Sequence, residues 1–225
     1  MRKAKSLITI TEQMASEIRS RSGTSAHMLL LDNPAVSFEG IDTGKPKIEG
    51  FSFCGNAGRL QRISLILDAI ETYFERGGQL QFTFAGGGVY ADRLKGFADK
   101  FPHFHYPGLV SSIEAAQINA DYTWALLPIE DEVTRFAFPS KSSSYVFSGA
   151  NILAVCGDQT GVAQWVLENQ VGLVVKPEVE AVVEVFFKIE KGFYQGASNE
   201  TSREALKAKL RFEVFIEALD RIVLE

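Results

Sequence analysis

Three turns of this chain gather residue types that can hold a phosphate. The first is Gly55-Asn56-Ala57-Gly58-Arg59-Leu60-Gln61-Arg62. Glycines let the backbone approach a ligand, a helix amino terminus behind them favours an anion, and Arg59 and Arg62 add positive charge. The same residues also read as a plain strand–helix turn with solvated arginines. The second is Gly86-Gly87-Gly88-Val89-Tyr90-Ala91. It fits the G-x-G-x-x-[GA] pattern of dinucleotide binding, which also requires an acidic residue at the end of the next strand. That place holds Tyr106-Pro107-Gly108. The glycines follow the second strand of the regular series and not the first, so a dehydrogenase is set aside. The third is Phe138-Pro139-Ser140-Lys141-Ser142-Ser143-Ser144, with hydroxyls and a lysine at the start of a helix. A capping serine and a first-turn lysine suit a diphosphate; ordinary capping with a solvated lysine is the plainer alternative.

These turns need elements to hold them. The pattern predicts a short strand from Ser6 to Ile10, then a helix to about Arg21 entered through a Thr9-x-x-Glu12 capping box. His27 to Leu31 reads as a second strand. Residues 34–47, with Pro34, Gly40, Gly44 and Pro46, read as a linker. The pattern then becomes regular. Strands are expected at Ile48–Cys54, Leu80–Ala85, Phe104–Tyr106, Tyr122–Leu127, Asn151–Cys156 and Val171–Lys176. Helices follow them, the clearest carrying Ile63, Ile66, Leu67, Ile70, Tyr73 and Phe74 at helical spacing. Ser111-x-x-Glu114 caps another, and one continuous final helix is expected from Ser202 to about Val223. Residues 128–138 read as a loop. Six strand–helix units in a row predict an α/β fold, a Rossmann-like parallel sheet with helices on both faces. Ligands of such sheets bind beyond the carboxyl ends of the strands, which is where the three turns fall.

The totals narrow the function classes. A net charge of −5 disfavours nucleic acid as a partner, because long-range repulsion opposes a polyanion. Any phosphate must be gripped locally. Cys54 and Cys156 lie in apolar runs and read as buried free thiols, which fits a reducing compartment. The amino-terminal apolar stretch, Leu7 to Ile10, is too short for a secretory signal, and no run is long enough for a membrane span. The chain is therefore expected to be cytoplasmic, at most peripheral to the inner membrane. His103 and His105 share a strand face but have no third metal ligand nearby in sequence. Glu130-Asp131-Glu132 reads as a solvated loop.

Taken in order, Gly55-Asn56-x-Gly58-Arg59-x-Gln61, Gly86-Gly87-Gly88, Tyr106-x-Gly108-x-Val110, Ala120-Asp121, Pro139-Ser140-Lys141 and Ser148 to Leu153 resemble the C-terminal lobe of glycosyltransferase family 4. Each motif is weak alone; the order and spacing carry the likeness, over about residues 48–190. Residues 1–34 resemble the last strand–helix–strand of that family's N-terminal lobe, and the last helix resembles the one that crosses back to it. The resemblance implies a GT-B enzyme divided here as residues 1–47 (remnant and linker), 48–200 (nucleotide-sugar-binding domain) and 201–225 (crossing helix). It implies transfer of a hexosyl group from a nucleotide-diphosphate sugar to a polysaccharide or lipid-linked acceptor, with retention, without a metal and with no cofactor. Arg59 and Lys141 would stabilise the leaving diphosphate. Gly55, Asn56, Gly58, Gln61 and Gly86 would line it, and Gly108, Leu109 and Val110 would face the nucleobase. Pro139, Ser140 and Ser144 would face the sugar side, and Thr160-Gly161 opens a further helix. The sequence departs from the family where a Glu-x7-Glu pair is frequent, with Phe136 and Ser144 standing in its places. Most of the acceptor lobe is also missing. The resulting alternatives are a truncated enzyme, a split one with its N-terminal lobe supplied in trans, a homodimer, an inactive relic, or a non-catalytic nucleotide-sugar-binding module. A related epimerase would need carboxylates in the cleft, and none is well placed.

Overall fold

A computed structural model describes residues 4–35, 38–194 and 199–224. A small parallel pair comes first: β1 (Ser6–Thr9) and β2 (His27–Leu30), joined by α1 (Glu12–Ser22). The cap of α1 is Thr11, which accepts a bond from the Met14 amide at 3.2 Å, whereas Thr9 ends β1. The Thr9-x-x-Glu12 pattern thus points two residues too early.

The larger unit runs β3 (Ile48–Cys54), α2 (Ile63–Glu75), β4 (Gln81–Ala85), α3 (Ala91–Lys100), β5 (Phe104–Gly108), α4 (Ser112–Asp121) and β6 (Tyr122–Pro128). It continues through α5 (Asp131–Thr134), α6 (Lys141–Ser148), β7 (Asn151–Val155), α7 (Gly161–Glu168), β8 (Gly172–Val175), α8 (Val179–Glu190), α9 (Glu200–Lys209) and α10 (Phe212–Leu224). The six strands β3 to β8 form one parallel sheet in the order β5-β4-β3-β6-β7-β8. The two faces are read off the alternation in each strand. Phe51, Phe53, Leu126, Leu153 and Val155 join the core beneath α2 and α8; Ala125, Leu127, Ile152 and Ala154 join the core beneath α6 and α7. Both faces are covered, as a parallel sheet requires.

The strand order sets where a ligand can sit. From β3 the chain builds outward to β5, then α4 carries it back to place β6 against the other side of β3. The order thus reverses between β3 and β6, and ligands of such sheets bind near that switch point, at the carboxyl rim.

Three expectations are corrected. The final helix is two helices, broken at Leu210, a buried residue whose carbonyl accepts a bond from Ala35 N at 2.9 Å. The 128–138 loop contains the short helix α5. The first glycine turn leads into a 3-10 turn, Arg59–Gln61, so α2 starts only at Ile63 and its amino end is offset from the glycines.

The amino edge is held by one half-buried and one buried cation. Lys47 Nζ donates to the carbonyls of Ala120 (2.5 Å), Ser148 (3.0 Å) and Tyr122 (3.3 Å), gathering the carboxyl ends of α4 and α6. Arg203 of α9 is 2% exposed and bonds Ala150 O at 2.8 Å and Asn151 Oδ1 at 3.0 Å. Arg203→Ala should lower stability by about 3 kcal/mol, because buried acceptors lose a charged donor and a packed stem is deleted. Thermal melting checks this; an unchanged midpoint would remove Arg203 from the account.

Candidate functional site

The carboxyl ends of β3, β4 and β5 are laced together by main-chain bonds. Gly55 N donates to Ala85 O (2.8 Å), Gly86 N to Gly108 O (2.7 Å) and Ala57 N to Gly87 O (2.7 Å). The Tyr106 hydroxyl adds a bond to Gly86 O at 2.7 Å. The approach is close because Gly55 and Gly86 take φ values of 144° and 128°, which side-chain-bearing residues rarely adopt. A Cβ on Gly86 would stand 2.0 Å from Gly55 O.

Above this lattice lies an open cleft of about 420 Å³. Of the residues expected to bind a donor, Gly55, Asn56, Gly86, Leu109 and Val110 line it. Gly87 of the second glycine turn lines it too, as do Cys54, Ser111 and Ser112, which sequence reasoning missed. The signal for the serines was their place directly after β5, but their capping pattern absorbed it. Burial pushes the Cys54 thiol up to about 12, so it stays neutral. Among the described residues no carboxylate lines the cleft.

Lys141 joins the third turn to the first. A Cβ on Gly55 would lie 2.6 Å from Lys141 Cε and 2.8 Å from Nζ, so the lysine head rests directly on the glycine. Its Nζ sits 3.8 Å from the centroid of the Phe53 ring, a cation–π contact. Among the described residues no carboxylate pairs with it. Loss of water is the larger influence on the lysine and pulls it down to about 8; the neighbouring Cys54 acts in the opposite direction. A buried cation without a counter-charge is a site that gains by taking up an anion.

Two helix amino termini lie at this rim, and they differ: α4 begins in the cleft lining, whereas Pro139, Ser140 and Lys141 at the start of α6 lie outside the lining and meet it through Lys141 on Gly55. At α4, Ser111 and Glu114 cap each other: Glu114 N donates to Ser111 Oγ (3.2 Å) and Ser111 N to Glu114 Oε2 (2.8 Å). A carboxylate already occupies that end. At α6 the N-cap, Ser140, is exposed and makes no side-chain cap bond. The positive end of the α6 dipole and Lys141 are thus left for the same anion.

A larger cavity, about 720 Å³, opens at the opposite, amino edge of the sheet, lined by Glu49, Thr123 and Glu190 among others. Its two carboxylates outnumber its one lysine, Lys191, and the strand carboxyl ends point away from it. The smaller cleft is the better anion site despite its size.

The chain aligns along 99% of its length with sucrose-phosphate synthase from Thermosynechococcus elongatus, at 14% identity and a TM-score of 0.73, covering 58% of that chain. It aligns with the GtfA/B complex at 15% identity and 0.70, covering 98% of this chain and 45% of that one. Lipopolysaccharide outer core galactosyltransferase WaaB gives 13% identity, 0.70, 98% and 62%. The fold is that of a GT-B glycosyltransferase lobe. The chain spans roughly half of the length of these GT-B proteins. No family model matches the sequence, and no curated protein matches it.

Within this GT-B lobe the remaining site residues fall into three groups. Arg59 is exposed at the start of the 3-10 turn, beside the Asn56–Gly58 segment. Gln61 Oε1 is buried without a hydrogen-bond partner, 2.7 Å from where a Gly58 Cβ would be. Pro139 O accepts bonds from the Ser142 amide (3.1 Å) and hydroxyl (2.9 Å), which shapes the entry to α6; Ser144 is half-buried one turn on. Gly108, at φ 78°, turns the chain from β5 into Leu109.

Thr160 and Gly161 are not brought to the cleft. Thr160 is buried and caps α7 through Ala163 N at 3.1 Å. Gly161 N donates to Gln13 Oε1 at 2.8 Å, so α1 covers this helix end. Arg62 is not a free cation either. Its Nε donates to Ile129 O (2.8 Å), its Nη2 to Asp131 Oδ1 (2.9 Å), and its Nη1 lies 3.1 Å from Glu130 Oε2. Two members of the acidic run expected to be solvated are therefore its partners. Among the described residues no helix is long and apolar enough to cross a membrane.

Proposed function

We propose that this chain binds a nucleotide-diphosphate sugar at the carboxyl rim of its six-stranded sheet and serves as the donor-binding part of a hexosyl-transferring glycosyltransferase. The observation that carries this is the uncompensated Lys141 ammonium resting on Gly55, at the switch point of the sheet and the open end of α6. Two structures that share the fold, S. aureus TarM and pneumococcal GtfA, are complexes with UDP, which agrees with the reading.

The chemistry follows from charge. As the glycosidic bond breaks, the departing diphosphate gains negative charge. Lys141, Arg59 and the α6 amides stabilise that charge, a task a divalent metal performs in other transferases. The reaction we envisage retains anomeric configuration and needs neither metal nor cofactor. The acceptor, a polysaccharide or lipid-linked sugar, is held by protein outside these 225 residues: a further lobe, in the same chain or in trans, or a second copy. The site is assigned to the cytoplasm, where nucleotide sugars are made, at most beside the inner membrane. A second reading, a nucleotide-sugar-binding module without transfer, is favoured by the cleft's having no carboxylate among the described residues.

Calorimetric titration with UDP, GDP and TDP and their sugar esters, in chelator and in Mg²⁺, tests the assignment. Binding that is unchanged by chelator is expected. No binding to any of them would end the proposal. Binding without transfer or slow donor hydrolysis would select the second reading.

A further inference from the structure

Arg62 is strained where it stands. Its backbone lies in the left-handed region, φ 47° and ψ 31°, which a long side chain adopts at an energetic cost. Its side chain is 14% exposed and reaches three acceptors on the loop after β6: Ile129 O, Glu130 and Asp131. The two loops are joined again by Glu130 N, which donates to Leu60 O at 2.9 Å. Asp131 Oδ1 also accepts the Gly157 amide at 3.0 Å, so the same carboxylate holds the loop after β7. Arg62 closes the 3-10 turn by donating its own amide to Arg59 O at 3.3 Å. One arginine therefore ties together three loops of the carboxyl rim and ends the turn that Arg59 begins.

We propose that Arg62, clamped by Asp131 and Glu130, is a positioning residue: it locks the Arg59–Gln61 turn against the rim so that Arg59 meets the donor diphosphate, and it does not touch the ligand itself. This rests on the donor-binding assignment. The strain at Arg62 is tolerated because the clamp over-determines the conformation. The nearby carboxylates, which would by simple Coulomb repulsion weaken anion binding, here support it.

That reversal of sign makes the test. Asp131→Asn keeps the oxygen that accepts the Gly157 amide but removes the charge that holds Arg62. If Arg62 contacted the diphosphate directly, freeing it and deleting a nearby negative charge would strengthen binding. The clamp predicts the opposite, affinity for a UDP-sugar weakened about tenfold, the scale of one lost charged hydrogen bond. Two companions exclude a general loss of structure. In an Arg59→Ala background, Asp131→Asn should cause no further loss, because the residue being positioned is gone. The charge-swapped Arg62→Asp/Asp131→Arg protein should recover affinity relative to either single variant. Tighter binding by Asp131→Asn, or a further tenfold loss in the Arg59→Ala background, would overturn the proposal. Absence of nucleotide binding by the unmodified protein would instead count against the donor-binding assignment on which it depends.

Discussion

A Lys141→Met variant is expected to lose about a hundredfold in affinity for a nucleotide-diphosphate sugar, the equivalent of one buried charged contact, and yet to be more stable than the parent in the absence of ligand. Both effects have one cause. Burial holds Lys141 near 8, against an ordinary 10.5, so below that pH the free protein carries a charge it has desolvated. Lowering a lysine from 10.5 to about 8 corresponds to at most about 3 kcal/mol of instability. Methionine keeps the apolar stem over Phe53 and removes the charge. The sign with pH is the reverse of a stabilising ion pair. The penalty is fully present below about 8 and fades as pH rises toward 10.5, because the unfolded chain then binds more protons than the folded one. The variant's advantage should therefore be a few degrees of melting temperature at pH 7 and should shrink above pH 8.

An anion reverses the balance by supplying the missing counter-charge, so binding is coupled to proton uptake at Lys141. Affinity of the parent should fall about tenfold between pH 7 and pH 9, and that slope should be absent in Lys141→Met. A sugar-esterified diphosphate is the ligand to use, since the charge on its phosphates does not change over this range. Calorimetry in buffers of different ionisation enthalpy reads the proton directly. A Lys141→Met protein that binds as tightly as the parent would remove the phosphate from this cleft.

Gly86→Ala is expected to be the most damaging single-methyl addition at the site, lowering stability by roughly 3–5 kcal/mol or preventing folding. Two independent faults coincide there. The φ of 128° is one that an L side chain avoids, and the added carbon would lie 2.0 Å from Gly55 O. That oxygen cannot move freely, because the Gly55 amide is bonded to Ala85 O and the Gly86 amide to Gly108 O. Gly87→Ala is the control. Its added methyl would meet only the end of the Leu109 side chain, at 3.2 Å, which can rotate away. It should fold as the parent does while narrowing the cleft. Urea unfolding of the two variants decides the matter; equal midpoints would mean that the close approach of the two loops is not enforced.

Much of the architecture was legible in the chain. Alternating buried runs bounded by glycines and capped helices specify six strand–helix units, because a parallel strand must be apolar on both sides and each helix must hide one stripe. The glycine turns were legible for the same local reason: backbone that approaches backbone excludes a Cβ. Helix ends were less so. Thr9 and Thr11 both offer a capping hydroxyl, but Thr9 is held in β1 by its pairing with Leu30, which leaves the cap to Thr11. The single final helix failed because nothing local breaks it; Leu210 is pulled into the core beside Ala35.

The residue types alone determined the sheet, its glycine turns and the presence of a few cations near its carboxyl rim, since each depends on neighbours within a few positions. Which cation remains available was decided only by the tertiary structure. Arg59, Arg62 and Lys141 look alike in sequence. Folding sets Arg62 against Glu130 and Asp131, sixty-odd residues away, withdraws Thr160 and Gly161 beneath α1, and leaves Lys141 desolvated on Gly55. The strength of a charge depends on what surrounds it in space, and those surroundings come from parts of the chain that local pattern cannot bring together.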